Sequence, residues 1–127
     1  MKKLFFILFL GIAAFAGCRT YPTVYNIEHQ AVTANNKQIV EDAIISGGTK
    51  SGWQITKVGE GLMRGTFSYS NHKMVVDIPY TERNYSIIYR DSENLRYNEK
   101  KNTIHPRYNK WVIRLSRCIN NAITNSL

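Results

Sequence analysis

The chain has 127 residues and a formal net charge of +8, so its length suits a single domain and its charge favours anionic partners. It contains no glycine-rich phosphate loop, no nucleophile elbow and no paired-carboxylate motif. Its three histidines lie far apart, without the local spacing typical of a metal site. These absences argue against the common motif-defined enzymes, and the sequence predicts a non-catalytic protein without a metal or cofactor.

The amino-terminal residues are typical of a bacterial lipoprotein signal peptide. A short positive head precedes an apolar run over residues 4–14, which is too short to span a bilayer permanently. Residues 15–18, Phe-Ala-Gly-Cys, resemble a lipobox. The resemblance implies cleavage of residues 1–17 and attachment of lipid, including palmitate, at Cys18. An ordinary secretory signal with a chance cysteine is the alternative.

A lipid on Cys18 would hold the mature domain at a membrane. The next residue is Arg19 and not Asp, which by resemblance to this lipoprotein class favours the Gram-negative outer membrane, with the domain facing the periplasm. Without the signal peptide, fifteen basic residues face nine acidic ones, a formal net charge of +6. This charge favours anionic envelope polymers or an envelope protein as partners, or serves solubility alone; nucleic acid is not expected.

The mature chain divides into two expected parts. Residues 18–34 show no sustained periodicity and are expected to form a lipidated tether, which can also dock on the domain as an extended segment. The domain is expected over residues 35–127. Its first helix would be capped by Asn35 or Thr33 and stopped by the glycine pair at 47–48. A period of two then predicts antiparallel strands over residues 53–58, 62–70, 73–80 and 85–91.

The chain ends in a strongly amphipathic helix that begins at Pro106. Its apolar face has the helical spacing i, i+3, i+4, i+7 and consists of Tyr108, Trp111, Val112, Leu115, Cys118, Ile119 and Ala122. Such a face requires a sheet of similar width, and a thiol on it, Cys118, is expected to be buried. We therefore predict an α+β fold in which two helices cover one face of a four-stranded antiparallel sheet.

A series of short motifs runs through the second half of this domain. They are Gly52-Trp53, Tyr85-Ser86-Ile87 with Tyr89, Asp91-Ser92, Asn94-Leu95 with Tyr97, Ile104-His105, Tyr108-Asn109 and Trp111-Val112. Together they resemble a family of small proteobacterial lipoproteins, over roughly residues 35–123. The resemblance implies a lipoprotein and no particular activity. In fold alone, the order of helix, sheet and helix also resembles the helix-grip domains of the C lipoprotein of the barrel-assembly machine.

Polar residues crowd the end of the last strand and the start of the last helix. The candidate binding corner contains Asp91, Ser92, Asn94, Tyr97, His105, Tyr108 and Asn109. These side chains can form a small site for a polar ligand. Alternatively they form a hydrogen-bonded joint, in which Asp91 or Ser92 caps a turn, Asn94 takes an unusual backbone conformation and His105 caps the helix.

The polar face of the last helix is a second candidate, for anionic surfaces. It carries Arg107, Lys110, Arg114 and Arg117, and its alternative is an ordinary solvated surface. We predict a lipid-anchored, non-catalytic binding or scaffold domain of the cell envelope. Two other functions stay open: a hydrolase of an envelope polymer, using His105 with Asp91 or Ser92, and an inhibitor of a hydrolase.

Overall fold

The computed structural model describes residues 20–127, so the expected signal peptide, Cys18 and Arg19 lie outside the described residues. The elements are β1 (Ile27–Ala31), α1 (Lys37–Lys50), β2 (Gln54–Gly59), β3 (Leu62–Tyr69), β4 (His72–Pro79), β5 (Asn84–Glu93) and α2 (Pro106–Asn125). One antiparallel sheet has the strand order β1-β5-β4-β3-β2. The predicted α+β class, with one antiparallel sheet and two helices, is confirmed. The predicted count of four strands is wrong, because the sheet has five.

The fifth strand comes from the segment expected to be a tether. Val24 is buried, and its amide donates a 2.9 Å hydrogen bond to the Asn102 carbonyl. Strand β1 follows and pairs with the edge of β5, where Ile27 lies opposite Ile87. The pairing is irregular after Ile27, and His29 has a φ of +51°. This break in the register removes the alternation by which the sequence would have shown a strand, and residues 20–34 belong to the domain.

Strands β3 and β4 have the predicted alternation. Met63 lies opposite Ile78, and both are fully buried under the helices. Strand β5 departs from it, because Val76 pairs with Tyr89 whereas the preceding Val75 pairs with Asp91, which leaves one extra residue in β5. Asp91, which strict alternation would place on the same face as Tyr89, therefore lies on the opposite, outer face. A bulge of one residue reverses every side chain beyond it.

The first helix differs from the prediction at both ends. Its amino-terminal cap is Asn36, whose side chain accepts from the Gln38 amide, and neither Asn35 nor Thr33. The glycine pair that was expected to stop it lies inside the helix, which continues to Lys50. A Cβ added at Gly47 would lie 2.7 Å from the backbone N and Cα of Ile119. The glycine thus permits a close approach between the backbones of α1 and α2.

Helix α2 has the predicted cap and most of the predicted buried face. Of the seven expected residues, Tyr108, Val112, Leu115 and Ile119 are buried, whereas Trp111, Cys118 and Ala122 are half-buried. The expected burial of the Cys118 thiol is therefore only partial. The sheet is also joined to α2 by Tyr85, whose hydroxyl lies 2.7 Å from both the Ser116 hydroxyl and the Asn120 side-chain oxygen.

Candidate functional site

The antiparallel connections bring four segments to one end of the domain: the first described residues, the β3–β4 turn, the loop after β5 and the start of α2. We call this the basic end and define it as residues 20–21, 69–73 and 94–111. It contains an open cleft of about 910 Å³, lined by Thr20, Tyr21, Asn71, His72, Asn94, Arg96, His105 and Pro106.

Two imidazole rings form the centre of the cleft. The His72 and His105 rings are stacked with their centroids 6.5 Å apart, and the centroid of the Tyr21 ring lies 6.1 Å from that of His105. His72 Nδ1 donates to the Asn94 carbonyl oxygen at 2.8 Å, since a carbonyl only accepts. His105 Nδ1 instead accepts from the Arg107 amide at 3.1 Å and caps α2. In their neutral forms the two rings therefore carry their protons on different nitrogens. The proton is on Nδ1 in His72 and on Nε2 in His105.

The loop after β5 is held in a defined shape. Asn94 and Arg96 both have left-handed backbones, with φ of +57° and +56°. The Asn94 side chain donates to the Asn71 carbonyl at 2.7 Å. Between them Leu95 is buried, and its carbonyl accepts from the His105 amide at 2.8 Å. Positive φ at a residue other than glycine is costly, so these contacts maintain a conformation that leaves Arg96 exposed beside the cleft.

A separate groove of about 270 Å³ lies near the cleft at the start of α2 and is lined by Tyr69, Arg107, Lys110 and Trp111. The half-buried Trp111 ring contacts Tyr69 and His72, at centroid distances of 6.0 and 6.4 Å. Tyr69 is 56% exposed. The groove thus combines an aromatic wall with two cationic side chains, a pairing suited to anionic ligands that also offer apolar surface.

A third depression lies on the other side of Tyr21. Its lining includes Arg96, Tyr97 and Lys101 together with Thr20 and Tyr21. Tyr97 stacks on Tyr89 with ring centroids 4.3 Å apart. All three depressions therefore belong to one continuous surface that is rich in tyrosine, arginine and lysine.

The structure brings together only part of the candidate binding corner. Asn94 and His105 line the cleft, and Tyr97 lies in the neighbouring depression. Tyr108 is fully buried in the core, and burial raises the pKa of its hydroxyl. Asn109 lies beside the first segment of the chain, accepting from the Tyr25 amide and donating to the Thr23 carbonyl, both at 3.0 Å.

The remaining two corner residues have local partners. The Asp91 carboxylate accepts from the Ser92 amide at 2.8 Å, and the Ser92 hydroxyl lies 2.7 Å from the Tyr89 hydroxyl. Because they are consecutive residues of β5, the two side chains point to opposite faces of the sheet. Asp91, Ser92 and Asn109 thus make hydrogen bonds that stabilise the fold. Asn94 and His105 both make such hydrogen bonds and line the cleft.

The four basic residues on α2 do not form one site. Arg107 and Lys110 line the groove beside Trp111, whereas Arg117 lines a separate depression with Tyr25 and Ile113. Arg114 is exposed between them. Corresponding members of the two pairs are seven residues apart, about 10 Å along the axis, although Lys110 and Arg114 themselves are only one turn, about 6 Å, apart. This spacing provides a matched comparison between basic residues at the basic end and basic residues away from it.

Sequence reasoning missed Tyr21, Tyr69, His72 and Arg96 as site residues. His72 was assigned only to a turn, and Tyr21 to the tether. One available signal was connectivity: in an antiparallel meander, the β3–β4 turn and the end of β5 lie at the same end of the sheet. Applied to the predicted strands, that rule places His72 near the candidate corner.

Within residues 20–127, no helix is both long and apolar enough to cross a membrane. In the same part of the chain, no three His, Cys, Asp or Glu side chains are grouped as potential metal ligands. No protein-family model, curated protein or solved structure matches the chain.

Proposed function

We propose that the chain is a lipid-anchored, non-catalytic binding domain of the bacterial cell envelope, and that the basic end holds an anionic envelope component. The observation that carries the proposal is the position of Tyr69 and Trp111 beside Arg107 and Lys110, in a groove next to the cleft, where Trp111 also lies 6.4 Å from the His72 ring. Aromatic faces bind flat or apolar parts of a ligand, and the guanidinium and ammonium groups bind its phosphates or carboxylates.

The distribution of charge supports an anionic ligand at this end. Residues 69–73 and 91–110 contain three acidic residues and six basic ones, a net charge of +3, and the basic ones are all exposed, namely Lys73, Arg96, Lys100, Lys101, Arg107 and Lys110. At the opposite end, residues 36–42, 57–61 and 80–84 contain four acidic and three basic residues. There Lys37 pairs with Glu60 and Lys57 with Glu41. The positive field is therefore concentrated at one end instead of spread evenly as solubility charge.

Two observations favour binding over hydrolysis. A triad would use the Ser92 hydroxyl as the nucleophile, and this hydroxyl is hydrogen-bonded to the Tyr89 hydroxyl at 2.7 Å. Asp91 bonds to the amide beside it and lies on the outer face of the sheet. The cleft is also wide and lined mainly by polar groups, which suits a segment of a larger ligand better than an enclosed small substrate.

Photo-crosslinking in living cells tests the proposal. A photoreactive amino acid at Asn71, on the rim of the cleft, should form an adduct with an envelope component, whereas the same group at the exposed Thr124, near the other end of α2, should not. Arg96→Gln should weaken the adduct formed from position 71. Recovery of only the free monomer from both positions would refute the binding function.

Two further assays test the anchor and the absence of catalysis. Labelled palmitate should enter the wild-type protein and be lost in Cys18→Ser. Turnover of muropeptides or lipids by the wild type, abolished in His105→Asn, would replace the proposal with the hydrolase hypothesis. Asn is the appropriate substitution because it can still cap α2. Inhibition of lysozyme in a standard assay would instead favour the inhibitor hypothesis.

A further inference from the structure

The first described residue lies at the basic end. Thr20 lines both the cleft and the depression that contains Arg96 and Lys101. Only Arg19 separates Thr20 from Cys18 in the sequence. Two virtual bonds of about 3.8 Å each limit the distance between the Cα atoms of Cys18 and Thr20 to roughly 8 Å. A lipid on Cys18 would therefore hold this end of the domain within about one helix diameter of the bilayer.

The residues that follow Thr20 are held against the domain. Asn109 holds Thr23 and Tyr25 by two hydrogen bonds, and Val24 is buried. A lipid on Cys18 would therefore be joined to the domain by a linker of one or two residues, because most of the expected tether, residues 18–34, docks on the domain as an extended segment, which the sequence analysis had allowed. With so short a linker, only the surface around Thr20 can face the membrane.

We propose that the basic end lies directly on the bilayer that holds the anchor, and that its cationic side chains bind the phosphates of anionic lipids. This inference rests on the proposed function and names the partner of the same surface. Arg96, Lys101, Arg107 and Lys110 supply the charge, and Tyr69 and Trp111 supply the amphipathic rings that favour the membrane–water interface. The cleft between His72 and His105 then opens towards the lipid head groups.

Fluorescence of Trp111 tests the placement, because the other tryptophan, Trp53, is only 3% exposed. The lipidated protein is reconstituted into vesicles that contain phosphatidylglycerol and lipids brominated near the head group. Its emission is compared with that of Trp111→Phe. We expect the bromolipids to quench the emission of Trp111, so that the quenching is absent from Trp111→Phe. The quenching should decrease in concentrated salt, because salt screens the attraction between basic side chains and lipid phosphates.

Two double variants provide the matched comparison. Each basic residue near an anionic surface changes binding roughly fivefold, so Arg107→Gln with Lys110→Gln should shift the equilibrium between docked and undocked domain by roughly 30-fold and remove most of the quenching. Arg114→Gln with Arg117→Gln removes the same charge from positions centred about 10 Å farther along the helix. Arg117 lies beyond the screening length of physiological salt from Lys110 and Arg114 lies one turn from it, so most of the quenching should be retained.

The result that overturns the inference is an unquenched Trp111 in the wild type, or equal loss of quenching in both double variants. An adduct from Asn71 to a polymer or protein, without quenching of Trp111, would leave the proposed function standing and refute the membrane placement. Failure of palmitate incorporation would instead remove the anchor on which both depend.

Discussion

The substitution Gly47→Ala tests the close approach of the two helices. Gly47 lies in the interior of α1, where alanine is intrinsically about 1 kcal/mol more favourable than glycine. Propensity alone therefore predicts a more stable protein. The added Cβ, however, would lie 2.7 Å from the N and Cα of Ile119 and 2.8 Å from the carbonyl carbon of Cys118. Ordinary carbon contacts are about 3.5–4.0 Å, so the helices must separate locally by roughly 1 Å.

The packing penalty should exceed the gain in propensity. Overpacking a core generally costs about 1–3 kcal/mol, and here the penalty should lie at or above the top of that range, because backbone atoms of a long helix cannot rotate away as a side chain can. Subtracting the gain leaves a net loss of about 2 kcal/mol in the free energy of unfolding. For a domain of this size, that loss lowers the melting temperature by roughly 10 °C.

Urea denaturation followed by circular dichroism measures this change. The midpoint should fall while the slope of free energy against urea concentration stays constant. Gly59→Ala is the control, because a Cβ at that position would have no neighbour within 4 Å, and its midpoint should change little. An unchanged or higher midpoint for Gly47→Ala would show that propensity outweighs packing and that α1 and α2 are not in fixed backbone contact.

Three further predictions concern tyrosine hydroxyls and the cap of α2. Among the described residues the buried Tyr108 hydroxyl has no hydrogen-bond partner, whereas the Tyr85 hydroxyl bonds to α2. In urea denaturation, Tyr108→Phe should therefore leave the free energy of unfolding unchanged or raise it. Tyr85→Phe should lower it by about 1–2 kcal/mol. Burial raises the pKa of Tyr85 to about 12, so the unfolded chain ionises near pH 10 before the folded one does. The contribution of Tyr85 to the free energy of unfolding is then fully present below pH 10 and should fall between pH 10 and 12 by up to about 1.4 kcal/mol per pH unit. Tyr85→Phe should reduce this slope. The same slope in both proteins would contradict this reasoning. His105→Ala should lower the melting temperature through loss of the cap, worth about 1 kcal/mol, whereas His105→Asn should restore most of it; equal losses would assign the effect to the ring contacts of His105 and not to the cap.

Much of the fold follows from local patterns that the sequence displays directly. The alternation in β3 and β4 and the helical spacing in α2 arise because one face of each element is buried. The positions of the apolar residues in the sequence therefore show which face that is. The His105 cap and the special backbone of Asn94 were also foreseen as alternatives, since both depend on residues within a few positions. These features required no knowledge of distant contacts.

The missed features all depend on residues far apart in the chain. Strand β1 exists because Ile27 pairs with Ile87. Position 47 holds a glycine inside α1 because the Ile119 backbone leaves no room for a side chain. His72 lies beside His105 only after the meander and α2 have folded together. Each of these contacts joins segments whose own sequences do not predict it. The glycine pair at 47–48 is even misleading, because such a pair is typical of a helix end and here lies inside α1. The sequence by itself determined six of the seven elements and the buried faces of β3, β4 and α2, because burial gives the apolar residues of a regular element a period of 2 or 3.6. Tertiary structure alone decided the register, the bulge in β5 and the cleft, because the free energy that selects them comes from packing between segments that no local period encodes.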